Sequence, residues 1–279
     1  MIIIRTLYFI RLFSLDIVAG AIAALVFSAS VLGIDLHRSY YTIMALTVWL
    51  IYTTDHLMDG SRTHGKSESE IRNFFYNYKI PIILVFLVIL ILDFRLIVYR
   101  LDEKVVQFGM GVGIATVLYL LMNRYYDGAQ KWLFIKELWI AIIYTLAIWG
   151  GTVILAGDTL NTTQFMIIAS FGLIIFGNVL LYSIFERELD AQENNKSLVR
   201  DFGLPVTLNI TVFALAVSIL IALSAYLFMG ASLIHILPLI LISVTMLMII
   251  SFPGHFSKRK MYGIIADLSL LLFLLVGIW

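Results

Sequence analysis

The chain has 279 residues, of which 61% are hydrophobic and 13% charged, with no cysteine and a mean hydropathy of +0.99. A soluble domain is about 45–50% apolar and about 25% charged, so these proportions exclude a water-soluble globule, and the missing cysteines exclude a disulfide-stapled one. Nineteen Lys+Arg against eighteen Asp+Glu leave a net charge of +1, which removes the electrostatic case for a nucleic-acid partner.

A bilayer core about 30 Å thick takes roughly 20 apolar residues of helix. Nine stretches meet or approach that length, near 12–33, 39–57, 80–98, 105–122, 137–156, 164–185, 204–228, 233–251 and 262–279. They predict an all-α polytopic membrane protein, a single transmembrane domain over 1–279 with nine membrane helices. The amino-terminal run MIIIRTLYFIRLFSLD is interrupted by Arg5 and Arg11 and offers no small-residue cleavage site, so no removable signal peptide is expected. The longest polar segments are the loops 57–79 and 186–203.

Basic residues stay on the cytoplasmic side of a membrane, and here they sort sharply by loop. One side collects Arg5 and Arg11, then Arg62, Lys66, Arg72 and Lys79, then Arg124, Lys131 and Lys136, then Arg187, Lys196 and Arg200, then Lys258, Arg259 and Lys260. The other side has Arg38, Arg95, Arg100 and Lys104. This asymmetry predicts an integral protein of a prokaryotic inner membrane, with the amino terminus and both long polar loops cytoplasmic and the carboxyl terminus outside.

Both of those loops begin alike. The second predicted helix ends in IYTTDHLMDGSR and the sixth in YSIFERELDAQENNKSL, each with two acids four residues apart. Residues i and i+4 share a helix face, so Asp55 pairs with Asp59 and Glu186 with Asp190. Like charges at that spacing are unfavourable, more so where water is scarce, and a hard divalent cation compensates them, since Mg²⁺ is commonly held by one or two carboxylates plus substrate phosphates. The recurrence after four further helices suggests two similar four-helix halves with a ninth helix appended. Intramembrane carboxylates of an ion-coupled transporter would instead sit near the midplane at broken helices.

These motifs resemble those of the UbiA superfamily of intramembrane prenyltransferases, which have nine helices and two aspartate-rich motifs after helices two and six. IYTTDHLMD over 51–59 matches the later two acids of the first motif, and ERELDAQENNKSL over 186–198 matches the second through Glu186, Asp190, Lys196 and Ser197. YLLMNR keeps Tyr119 and Arg124 of the family's helix-four motif. The chain departs where Ile51 and Tyr52 replace an amide and an acid, where His56 replaces an arginine, where Leu120 and Asn123 replace a proline and a lysine, and where Glu186 replaces an aspartate.

The resemblance implies a UbiA-like fold and a Mg²⁺-dependent transfer of a polyprenyl group from its diphosphate to a hydrophobic, aromatic-type acceptor in quinone, haem, pigment or lipid synthesis. Asp55, Asp59, Glu186 and Asp190 would be the catalytic and metal-holding residues, converging on one diphosphate. Arg62, Lys66, Arg124 and Lys196 would clamp that diphosphate. Aromatic faces stabilise a cation without capturing it, which nominates Tyr119, Tyr144, Tyr182 and Trp149, while Asn178 lies two turns before Glu186 on the same face. Taken singly, each aromatic is more often a packing or interfacial residue, and Asn178 more often an interhelical hydrogen bond. Asp16, His235 and Asp267 lie near span ends where they can snorkel to water. Gly109, Gly111, Gly113 and Gly150-Gly151 read as close-packing residues. The altered first motif supports an alternative, a catalytically inactive UbiA-fold subunit that binds lipid or pigment in a membrane assembly. Expected partners are thus a polyprenyl diphosphate, its acceptor, membrane lipid and further membrane proteins.

Overall fold

Backbone polar groups have no water to bond inside a bilayer, so a spanning chain satisfies them within helices. The computed structural model describes residues 9–125, 136–157, 159–193, 195 and 197–277, and among these the chain folds into helices with no strand. In chain order they are α1 (Leu15–Leu32), α2 (Arg38–Thr63), α3 (Glu70–Asn77), α4 (Lys79–Arg100), α5 (Glu103–Tyr125), α6 (Lys136–Ala156), α7 (Thr162–Phe185), α8 (Arg187–Gln192), α9 (Leu198–Phe202), α10 (Leu204–Met229), α11 (Leu233–Ser251), α12 (Pro253–Phe256) and α13 (Met261–Ser269). A 3₁₀ stretch, Leu270–Gly277, continues α13.

The expected spans from 39–57 to 233–251 each lie within a helix; 12–33 is broken by a turn at Phe13 and Ser14 before α1, and the described part of 262–279 is α13 with its 3₁₀ continuation. Among the described residues seven helices are long and apolar enough to cross a membrane: α1, α4, α5, α6, α7, α10 and α11. The two that do not qualify have physical reasons. Helix α2 has the length, at 26 residues, but its last turns carry Asp55, His56, Asp59 and Arg62. The Met261–Gly277 segment is apolar but shorter than a full span. The chain is an integral membrane protein.

The helix ends follow local sequence. Asn161 and Gln164 form a reciprocal capping box at the start of α7, with bonds of 2.8 and 3.0 Å between side chain and backbone. Pro205 opens α10 after Gly203, where the missing N–H costs nothing. Helix α2 stops where His64 and Gly65 both turn left-handed, with φ of 51° and 70°. That stop lies beyond the expected end near residue 57, so the predicted 57–79 loop begins with helix as far as Thr63, and much of its second half is α3. The 186–203 segment likewise contains α8 and α9.

The described chain packs as two compact units. The first comprises the residues up to Ile22 together with Leu36–Val106. Within it α3 lies against the last turns of α2, an approach that Gly60 permits: a Cβ there would stand 2.7 Å from the Arg72 carbonyl oxygen and 3.1 Å from the Tyr76 nitrogen. Phe75 is fully buried, its ring centroid 4.9 Å from that of His56. Ser14 shares a hydrogen bond of 3.1 Å with His56 Nε2. Helix α4 packs beside α2, where the Thr47 hydroxyl donates to Asp93 Oδ2 at 2.8 Å. The rest of α4 presents Leu84, Val88 and Ile91 outward, the composition that lipid demands.

The second unit comprises Ala23–Asp35 and Gln107–Trp279. Its centre is aromatic: Phe27, Phe171 and Phe273 are fully buried, and Trp149 meets Phe27 and Phe171 edge-on at 6.0 and 5.8 Å. Helices gain little hydrophobic energy from one another in lipid, so close packing and polar contacts hold them. Both devices occur here. Ser170 of α7, Ser218 of α10 and Ser243 of α11 form a buried hydroxyl chain with links of 2.8 and 3.4 Å, and Gly177 lets Leu215 come so close that a Cβ would meet Leu215 Cδ2 at 2.7 Å. Gly150 similarly seats the ring of Phe108. Among the described residues Gly109, Gly111 and Gly113 have no neighbour within 4 Å of a built Cβ, and the expected close packing is found at Gly150.

Candidate functional site: two acid pairs in different settings

Asp55 and Asp59 lie inside the last third of α2 rather than at its end. They are half-buried. The α3 helix lays Arg72 against this face, and its Nη2 reaches Asp59 Oδ2 at 2.9 Å, with side-chain exposures of 14% for Arg72 and 25% for Asp59. Asn73 holds the turn before α3 by accepting from the Ser67 amide at 3.0 Å and donating to the Ser67 carbonyl at 2.8 Å. Of the expected diphosphate clamp, Arg62 and Lys66 are exposed beside this motif.

The second pair is built differently. Glu186 caps α7, and the Asp190 amide donates to the Glu186 carbonyl at 2.8 Å, so the turn continues into α8 and keeps both acids on adjoining turns. The Tyr262 hydroxyl donates to Glu186 Oε1 at 3.0 Å. Asp190 is buried, and Asn195 Nδ2 donates to its Oδ1 at 3.4 Å. Among the described residues no cationic side chain pairs with either acid. Arg200 instead donates to the Asp190 backbone carbonyl at 3.4 Å. Glu137, 1% exposed at the start of α6, accepts from the Leu198 amide at 2.8 Å and so ties the segment after the second motif to the membrane helices.

Above Glu186 on the same face of α7 stand Tyr182 and buried Asn178. The Tyr182 hydroxyl donates to Asp267 Oδ2 of α13, and the Tyr182 and Tyr262 rings meet edge-on at 5.8 Å. Two tyrosine–carboxylate bonds thus run in opposite directions between α7 and α13. Tyr144 stacks on Phe171 at 6.3 Å. The hydroxyl of Tyr144 and the indole N–H of Trp149 are buried without a hydrogen-bond partner among the described residues. Tyr119 is half-buried on α5. Lys196 and the side chain of Arg124 lie outside the described residues.

The unit containing the second motif therefore links Glu186 and Tyr182 through Tyr262, with Asp190 one turn further along the chain. The two units also contain residues that the sequence did not single out for chemistry. Asp267 is buried and bonded to Tyr182 rather than reaching for water, because its hydroxyl donor is supplied from α7. Asp16 is also buried, and His235 is bonded to Ser30 at 3.1 Å. Arg72, Glu137 and Tyr262 were likewise missed. The available signal for Glu137 was an acid opening an apolar span. Among the described residues no three His, Asp or Glu side chains are grouped to hold a metal ion.

No sequence-family profile and no curated protein matches the chain. Solved structures do. The chain is similar to the apo structure of a UbiA homologue from Aeropyrum pernix K1, with a TM-score of 0.64 and 12% identity over 95% of this chain and 96% of that one. It is also similar to a structure described as digeranylgeranylglyceryl phosphate synthase in membranes, with a TM-score of 0.59 and 13% identity over 99% of each chain. The chain shares the fold of these two structures, the UbiA fold.

Proposed function

We propose that this protein is a member of the UbiA superfamily, with its nine helices in the membrane, and that it transfers a polyprenyl group from its diphosphate to a hydrophobic acceptor. The observation that carries this reading is the second acid motif: on a prenyltransferase fold, Glu186 and Asp190 stand on adjoining turns and are met only by neutral donors among the described residues. That donor set suits Mg²⁺, which needs one or two carboxylates and otherwise keeps waters and substrate phosphates. Glu186 and Asp190 would hold the ion, which when bound supplies positive charge against a leaving diphosphate. The protein's own part is to fix those oxygens. Tyr262 orients Glu186, Asn195 orients Asp190, and Glu137 holds the following segment by its Leu198 bond. Lys196 and Arg124 are proposed, with Arg62 and Lys66, as the cationic contacts of the diphosphate. Tyr119, Tyr144, Asn178 and Tyr182 are proposed to face the prenyl chain or the acceptor.

The first motif favours a second reading. Asp59 is already paired with Arg72, and Ile51 and Tyr52 offer no carboxamide or carboxylate oxygen, as expected of a UbiA-fold subunit that binds a prenyl lipid without turning it over. Thermal unfolding of the purified protein with Mg²⁺ and a non-reactive prenyl diphosphate analogue separates the two. A ligand at about 100 times its Kd stabilises a protein by about 2.7 kcal/mol, so the transferase reading expects a clear rise in melting temperature that EDTA abolishes. A melting temperature indifferent to analogue and Mg²⁺ together contradicts it.

A further inference from the structure

We propose that Arg72 serves as a built-in cation at the first acid motif, neutralising Asp59 where a metal ion would otherwise be held, so that a divalent cation binds at Glu186 and Asp190 alone. The inference rests on the reading of the acid pairs as prenyl diphosphate machinery. It is tested with Mn²⁺ and no prenyl substrate, so failure of the transferase reading leaves it measurable.

Three observations carry it. The first is contact: Arg72 Nη2 lies 2.9 Å from Asp59 Oδ2, with the two side chains only 14% and 25% exposed. A guanidinium remains charged at every working pH and is less strongly hydrated than an ammonium, which suits it to a partly sheltered carboxylate. The second is that the contact is fixed by the backbone rather than made by chance between two long side chains. Gly60, the residue after Asp59, is the point at which α3 touches α2, and a Cβ there would lie 2.7 Å from the carbonyl oxygen of Arg72 itself. A second glycine, Gly65, sits under the Tyr76 ring, 2.5 Å from a built Cβ to Cδ1. Phe75, which α3 buries fully, packs on His56, one position after Asp55. Arg72 is therefore delivered to Asp59 by a helix clamped at several points.

The third observation is in the sequence of α2. Ile51 lies four residues before Asp55 on the same helix face, and its alkyl side chain offers no ligand oxygen there. The motif has a fixed cation and lacks that oxygen on one face, whereas the second motif has neutral donors and no cation among the described residues. An exposed ion pair of no consequence is the competing account, since most surface pairs contribute about 0–1 kcal/mol. It predicts that metal binding does not depend on Arg72.

The test is a Mn²⁺ titration of the full-length protein in lipid nanodiscs, with free Mn²⁺ followed by electron paramagnetic resonance. The wild type is expected to bind a single Mn²⁺ that is lost in Asp190→Asn and kept in Asp59→Asn. Arg72→Gln is expected to bind a second ion, which Arg72→Lys does not, and adding Asp59→Asn to Arg72→Gln removes it again. If Arg72→Gln does not fold, Asp59→Asn alone decides: an unchanged stoichiometry supports the proposal and loss of an ion overturns it. A wild type that binds no Mn²⁺, a wild type that binds two with one lost in Asp59→Asn, or a folded Arg72→Gln that gains none overturns it as well.

Discussion

The two acid motifs have the same spacing on their helices and opposite electrostatic surroundings. In the last third of α2, a carboxylate is matched by an arginine carried on a short helix that only glycine allows to come so close. At the end of α7, two carboxylates are met by a tyrosine hydroxyl and an asparagine amide. A neutral donor steadies a carboxylate without cancelling its charge, whereas a guanidinium does both. The same i, i+4 pattern therefore sets an acid against an arginine in one unit and two acids against neutral donors in the other. Pattern alone does not say which.

Substitutions break this contrast in a graded way. The largest expected effect is on chemistry: Asp190→Asn should lower turnover by a factor of about 10²–10³, the usual result of losing one electrostatic element of a transition-state site, while Asp59→Asn should act mainly on stability. Prenyl diphosphate consumption and thermal unfolding measured on both variants check this, and equal rate losses would erase the distinction. Next, Gly60→Ala should cost about 1–3 kcal/mol, because overpacking forces backbone to move. Since it displaces Arg72 from Asp59, Asp59→Asn added to it should cost less than Asp59→Asn alone, which a double-mutant cycle by denaturant unfolding would reveal.

Glu137→Ala should cost about 1–3 kcal/mol by leaving the buried Leu198 amide without an acceptor. Glu137→Gln should recover most of that, since an amide oxygen can take the same bond; unfolding midpoints of the two variants decide. The smallest effect is expected in the serine chain of the second unit. Ser218→Ala removes an interhelical hydroxyl contact of the kind that averages about 0.6 kcal/mol in membrane proteins, and a loss beyond about 1.7 kcal/mol would mean that the chain is worth more than its pairwise bonds.

Helix placement was largely legible because apolar runs of bilayer length leave little choice, and the expected spans from 39–57 to 233–251 are helical throughout. The limits of α2 were not. Seven residues from Leu57 to Thr63 are polar enough to read as loop, yet they stay helical because α3 covers one side of them. Helix α3 itself, EIRNFFYN, is only 8 residues long and sits between polar runs, so its apolar ring residues did not register as a packing face. Glu186 and Asp190 were legible as a pair because they are sequence neighbours, whereas the Asn195 amide that meets Asp190 was not singled out. Partners distant in the chain were hidden: Thr47 with Asp93, and Tyr182 with Asp267, are separated by 46 and 85 residues. A single acid in an apolar run gives no sign of which hydroxyl will meet it.

The central claim, that this UbiA fold retains prenyl transfer chemistry through its second acid pair, is tested most directly by one assay. Purified protein in lipid vesicles is supplied with a radiolabelled polyprenyl diphosphate and a membrane extract as the source of acceptor, and release of diphosphate is followed in Mg²⁺ and in EDTA. The account predicts turnover in Mg²⁺ that ceases in EDTA and in Asp190→Asn. Absence of turnover in Mg²⁺, with a prenyl lipid found bound to the purified protein, would contradict it and identify a lipid-binding subunit instead.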